Sequence, residues 1–385
     1  MTQSIYLDNS ASTQIAPEVK QAMLEAIDAP AANPSSIHRC GQNAKTRIEK
    51  SHQLIASFLN MQPLEIIFTS GGTESMNMLI LGLANSLLHK DKNLTCIYSN
   101  LDHPCVLKPL KHLNTYSSMR LVALESSKQG AVCPEHLEKA IIEQAGKPTF
   151  ITLSAVNSET GAMLDLEAVA SIAEKHSTPL LIDGVALLGK ACFSIPKGVS
   201  GMGFSSHKIH GPPGVGFIYK QKSMPLMPLL LGGNQMQMLR AGSENSVGIA
   251  GLSKAVDILK SQGPSIYNHL EKYSLFFKQE LTRRGIPFRE NGEGKKAPGI
   301  LNLYFPFVDA ETLLIYLDQH HIAISAGTAC SSGALEPSYV LKSMGYSLNR
   351  STHSVRFSLS RFTTEHELQQ TASTIAQLLT LSCST

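Results

Sequence analysis

Lys208 lies in SSHKIHGPPGVG (205–216), between serine and histidine residues and just before a Gly-Pro-Pro-Gly turn. A lone lysine is most often a solvated surface residue. Here, small and polar neighbours and a rigid turn leading into a strand-like run suit an amine that forms a Schiff base with a carbonyl. Upstream, PLLIDG closes an apolar run at Asp183. A carboxylate at the carboxyl end of such a strand points into the crevice where ligands bind. It can pair with a protonated pyridine nitrogen and keep the ring an electron sink, or it can cap the next turn. SGGTES (70–75) follows another apolar run and opens a helix-compatible segment. Gly71 and Gly72 would leave backbone amides open to a phosphate at a helix N-terminus, unless the turn is only a strand-to-helix connection. The segment around Cys330 holds Gly327, Ser331, Ser332, Gly333 and small alanines. It cannot build an apolar core, and a thiol presented this way is expected to act as a nucleophile and carrier.

The elements that must position these residues follow from the pattern of apolar runs. LEIIFT (64–69), NLTCIYS (93–99), TFITLSAV (149–156), PLLID (179–183) and VGFIY (215–219) are short, apolar and closed by turn or polar residues, as strands are. Residues 134–144 and 165–175 between them carry apolar positions at helical spacing, and Val19, Met23 and Ile27 share one face of an earlier helix. The alternation predicts a mostly parallel sheet with crossover helices. After about residue 255 the pattern changes to a long polar helix, a strand around ILNLYF, and a terminal helix opened by the capping-box spacing of Thr364 and Glu367. The predicted division is a large domain over 15–255 and a smaller one formed by 1–14 with 256–385.

Lys208 after a histidine, Asp183 upstream, and Gly72-Thr73 further upstream resemble the Schiff-base lysine, pyridinium partner and phosphate cup of fold-type I pyridoxal-phosphate enzymes. Among these the cysteine desulfurases match best. The likeness runs from YLDNSAST (6–13) and NPSSIHRCG (33–41) through LDHPCV (101–106) to SVRFSLSRFTT (354–364), and is most specific in SAGTACSSGALEPSYVL (325–341), around Cys330. The resemblance implies a mostly parallel seven-stranded sheet with a smaller α+β domain, pyridoxal 5'-phosphate as cofactor, and conversion of L-cysteine to L-alanine with sulfur left as a persulfide on Cys330. It implies that His103 stacks on the cofactor and moves protons, that Gly72, Thr73, Ser205, His207 and Ser243 join Asp183 and Lys208 in holding the cofactor, and that Asn157 and Arg356 meet the substrate. On its residues alone Arg356 also fits a surface strand with an exposed head. A homodimer, and sulfur-acceptor proteins such as an iron-sulfur scaffold, are the implied partners.

Three positions depart from the family's usual pattern. Ser158 follows Asn157 where a second asparagine is common, Ala186 replaces a glutamine that reaches the cofactor's phenolic oxygen, and Ser243 replaces a threonine directed at the neighbouring subunit's phosphate. Met236 and Gln237 also stand where a charged pair is usual. These changes keep open a related pyridoxal-phosphate lyase or aminotransferase, or a weakly active scaffold paralogue.

The composition, 43% hydrophobic and 16% charged, is that of a globular chain. A formal charge of +3 with no basic stripe gives nucleic-acid binding no support. No leader pattern or membrane-length apolar run is read, and no metal is called for. Seven scattered cysteines without a CxxC pair point to a reducing cytoplasm, most of them serving as small hydrophobes.

Overall fold

Twelve short strands organise the chain in the computed structural model, which describes residues 4–382 except 31, 90, 118 and 328–335. In chain order they are β1 (Ile5–Tyr6), β2 (Ile66–Thr69), β3 (Thr95–Ser99), β4 (Arg120–Leu124), β5 (Thr149–Ser154), β6 (Leu180–Asp183), β7 (Val199–Ser205), β8 (Gly216–Lys220), β9 (Arg289–Glu290), β10 (Ile300–Tyr304), β11 (Ile322–Ala323) and β12 (Ser354–Ser358). The main sheet has the order β2-β8-β7-β6-β5-β3-β4. Its pairings are parallel except those of β8, which runs antiparallel to β2 and β7. All five predicted strands are present, with boundaries shifted by one or two residues. Leu64 and Glu65 belong instead to a single 3-10 turn ahead of β2.

Two strands of the main sheet, β4 and β7, were not predicted. The first, RLVAL, lies at the sheet edge, with Arg120 and Ala123 exposed. The second, VSGMGFS, is buried throughout yet has the low strand propensity of glycine and serine. Its small residues answer a packing demand. A Cβ on Gly201 would come within 2.7 Å of Leu79 Cδ2, and one on Gly203 within 2.8 Å of Met76 Sδ, so the helix Gly72–Leu88 can lie close on this strand.

Period-two alternation sends side chains to two cores. Ile67, Cys96, Phe150, Leu181 and Ile218 pack on the side of the helices Gly72–Leu88 and Pro104–Ser117. Ile66, Phe68, Ile97, Ile151, Ile182 and Phe217 join a larger core that continues into the C-terminal elements. The helix Ser246–Arg283 runs unbroken across residue 255, 38 residues in all. Beyond it β9, β10 and β12 form an antiparallel sheet, while β1 pairs in parallel with β11.

The helices Pro134–Glu143 and Leu166–Lys175 appear as predicted, the second capped by Asp165, which accepts from Ala168 N–H. Thr364 and Glu367 exchange capping-box hydrogen bonds. The helix Pro17–Asp28 buries Val19 and packs Met23 against the core, but Ile27 at its end is 60% exposed, so the predicted apolar face is covered except at its last position. Of the five described cysteines, Cys96 and Cys105 are buried whereas Cys40 and Cys192 are exposed. The expectation that most serve as small hydrophobes therefore fails among the described ones.

Candidate active site

Because β3, β5, β6 and β7 are parallel, their carboxyl ends open on one crevice. Asp183, the last residue of β6, is buried there. Its Oδ1 accepts from Val185 N–H at 2.9 Å, and Cys105 Sγ lies 3.6 Å from its Oδ2. Burial raises its pKa, while the Val185 amide, His103, Cys105 and Lys208 work to keep it ionised. A cationic ring nitrogen would favour the carboxylate further.

His103 lies in the turn after β3 and is exposed. Its Nδ1 accepts from Cys105 N–H at 3.1 Å, which places the proton of the neutral ring on Nε2. Desolvation by the surrounding protein, partly offset by Asp183, holds its pKa below the usual value. A neutral imidazole can stack on a flat ring and still relay a proton.

Lys208 ends the 3-10 turn Ser206–Lys208 that follows β7. Its Nζ donates to the carbonyls of Ser10 at 2.5 Å and Ala11 at 2.9 Å. Burial, with a smaller contribution from Arg356, lowers its pKa to about 8, which makes the neutral, nucleophilic amine accessible near physiological pH. His207 shares a hydrogen bond with Ser12 Oγ, and its carbonyl accepts from Thr13 N–H, so the N-terminal segment is tied to the lysine turn. Burial lowers the His207 pKa to about 4.

The sequence SGGTES opens the helix Gly72–Leu88, as predicted. Gly71 takes a φ of 148°, which glycine tolerates, and the amides of Gly72 and Thr73 in the first turn have no intrahelical partner. Ser205 Oγ, near Gly71, is buried without a hydrogen-bond partner. Glu74 accepts from Ser70 N–H and pairs with Arg240 at 2.9 Å, which holds the rim of this turn. Ser243 is exposed and lines a cavity of about 100 Å³ with Thr69, Ser70, Arg240 and Asn245.

Arg356 is 8% exposed in β12, which rules out the surface-strand alternative. Its Nη2 donates to Asp8 Oδ1 at 2.8 Å and its Nη1 to the carbonyl of Ser158 at 3.1 Å, while Nε is buried without a partner. Asn157 is committed to its own turn: its Oδ1 accepts from the amides of Glu159 and Thr160 and the Thr160 hydroxyl, and its Nδ2 donates to Leu101 O. Cys330 lies outside the described residues. Sequence reasoning passed over Asp8, Ser10, Ala11, Asp102 and Cys105, all of which bear on the crevice. Only LDHPCV held a local hint, since Asp102 and Cys105 flank His103.

The aminotransferase class-V family model matches residues 5–371. Over 381 residues the chain is 33% identical to the cysteine desulfurase IscS of Dictyoglomus turgidum, covering 98% of this chain and 95% of that protein. The chain belongs to the cysteine desulfurase family. A solved NifS-like protein shares the fold with a TM-score of 0.90 at 29% identity, over 98% of this chain and 100% of that one. SspA, solved in complex with cysteine, gives a TM-score of 0.79 at 26% identity, over 94% and 100% of the two chains.

Cysteine desulfurases are fold-type I enzymes that depend on pyridoxal 5'-phosphate. The residues of this crevice fit that group. A buried hydroxyl without a partner and two open amides suit its phosphate, Asp183 suits its ring nitrogen, and a lysine of lowered pKa suits its aldehyde.

Proposed function

We propose that this chain converts L-cysteine to L-alanine and retains the sulfur as a persulfide on Cys330. The carrying observation is that Lys208, Asp183 and His103, from three separate segments, act on one another electrostatically at the carboxyl edge of the sheet. Bound pyridoxal phosphate supplies a carbonyl for amines and a sink for electrons released at Cα.

The protein's residues do the rest. Asp183 holds the ring nitrogen proton, and Gly72, Thr73 and Ser205 bind phosphate, with His207 fixing the turn beneath. Lys208 would hold the cofactor through its Nζ, and its free amine would serve as base at Cα. Arg356 binds the substrate carboxylate through its planar fork, with Asp8 fixing its plane and Asn157 shaping the wall beside it. His103 carries protons at Nε2. The Cys330 thiolate attacks the substrate sulfur: an S–S bond forms, the Cβ–S bond breaks with its electron pair left on carbon, and protonation there yields alanine. The balance is cysteine plus thiol to alanine plus persulfide.

A homodimer fits the surface. Ile37, Leu64, Leu231 and Met238 are 92, 70, 85 and 67% exposed, apolar side chains that a second copy would cover. Met236, Gln237 and Met238 stand at φ of 44°, 60° and 65°, a left-handed run costing about 1–2 kcal/mol per residue, which a second copy would hold in place. Ser243 then reaches the partner's phosphate. Sulfur-acceptor proteins, an iron-sulfur scaffold among them, are the proposed recipients. A cytoplasmic location suits the five described cysteines, all free. Among the described residues no helix is long and apolar enough to cross a membrane.

The deciding experiment is Cys330→Ser. The variant should bind cofactor and substrate as the wild type does, release no alanine above background, and gain no sulfur by intact mass, because a hydroxyl has almost no anionic fraction at neutral pH. Full alanine release by the variant would favour a lyase that needs no thiol, keto-acid formation in place of alanine would favour an aminotransferase, and a persulfide mapped to another cysteine would displace Cys330.

A further inference from the structure

Cys105 joins two groups of the crevice by two different atoms. It lies in the first turn of the helix Pro104–Ser117, two residues after His103, and is 8% exposed. Its backbone N–H donates to His103 Nδ1 at 3.1 Å, and its Sγ lies 3.6 Å from Asp183 Oδ2, within reach of an S–H donor. Asp183 Oδ1 is held by the Val185 amide of its own turn. The carboxylate is thus gripped at both oxygens from two separate elements, which fixes its plane as a single donor would not.

We propose that Cys105 is a positioning residue, whose thiol orients Asp183 toward the cofactor's ring nitrogen and moderates its negative charge while its amide sets the His103 tautomer. This rests on the reading that Asp183 pairs with that nitrogen. Burial and the charge of Asp183 push the thiol well above its ordinary pKa, so it remains an S–H donor and a poor nucleophile. Cys105 is therefore not a second sulfur acceptor. The charged or titratable groups acting on Asp183 are His103, Cys105 and Lys208, and Asp102 and Tyr339 lie close enough for Asp183 to raise their pKa values.

The sign of the expected change follows. Without the S–H donor, Asp183 presents a less compensated negative charge, which favours the protonated form of the lysine-bound cofactor. The test compares wild-type, Cys105→Ala, Cys105→Ser and Asp183→Asn holoenzymes by the pH midpoint of the cofactor's visible band and by cofactor affinity. Cys105→Ala should raise the midpoint by about half a unit and weaken affinity about three- to tenfold, the scale of one hydrogen bond. Cys105→Ser, which keeps a donor, should recover at least half of both changes. If Asp183→Asn alters both measurements while Cys105→Ala matches wild type, the proposal falls and the reading of Asp183 stands. If Asp183→Asn alters neither, that reading falls and takes the proposal with it. A serine variant indistinguishable from the alanine variant would assign the effect to packing and overturn the donor role.

Discussion

The turn after β3 and the carboxyl end of β6 each hold a buried aspartate, and the two are used in opposite ways. Asp102 accepts from Ser154 N–H at Oδ1 and from Ser99 N–H at Oδ2, at 2.8 and 3.2 Å. Both oxygens are committed to backbone, tying the end of β5 to the turn after β3, and burial raises the Asp102 pKa to about 7. Asp183 is nearly as deeply buried, at 6% exposure against 2%, but only one of its donors is backbone and its other neighbours include His103 and Lys208. Burial alone does not distinguish a structural carboxylate from a working one. Its neighbours do.

Substitution of both aspartates by asparagine gives the largest expected contrast. Asp183→Asn should lower kcat/KM by about 10²–10³-fold, the scale for losing one well-placed electrostatic group, with little change in thermal stability. Asp102→Asn should instead cost about 1–3 kcal/mol of stability, because its amide must turn a donor toward a backbone donor, while the visible spectrum of the bound cofactor persists. Thermal melting and steady-state kinetics on both proteins check this, and the reverse pattern would break the comparison.

A smaller effect concerns the lysine facing Asp183. Protonated Lys208 cannot attack an aldehyde, so capture of pyridoxal phosphate by cofactor-stripped protein should speed up as pH rises and level off above about 8. Arg356→Gln should move that midpoint upward, because the lost cation and the freed Asp8 carboxylate both favour protonated Lys208. A stopped-flow absorbance profile against pH measures it.

The smallest effect lies in the Asp183 turn itself, where Ala186 is partly buried. Ala186→Gln should add a donor toward the cofactor's phenolic oxygen and lower the midpoint of the visible band by a few tenths of a pH unit. An unchanged or raised midpoint would show that this position does not face that oxygen.

What the sequence made legible was local. Asp183 at the end of PLLID, the helix opened by SGGTES and the Thr364–Glu367 box could all be read because each signal lies within a few residues of its consequence. Strand β7 was invisible because its glycines answer the side chains of Leu79 and Met76, more than a hundred positions away. Asp8 could not be assigned to Arg356 across 348 positions, nor Ser10 to Lys208 across 198. Asn157 was expected at the substrate, and its binding of its own turn was not foreseen, because the four-residue loop that its carbonyl closes leaves no apolar pattern. Cys330 was found through the family's motif and lies beyond the described residues.

The pairing of β1 with β11 bears on how the enzyme is made. Ile5 and Tyr6 leave the ribosome more than three hundred residues ahead of Ile322 and Ala323, an interval of tens of seconds at ordinary rates of synthesis. Until the later residues emerge, the segment carrying Ser10 and Ala11 is held at the lysine turn by Ser12 and Thr13 against His207 and by Thr13 and Ala16 against His210, without the support of β11 and β12, although β2 to β8 can already have assembled. The nascent chain therefore passes through a stage with its main sheet formed but Arg356 of β12 still missing from the crevice, which makes completion of the catalytic crevice a late event in synthesis.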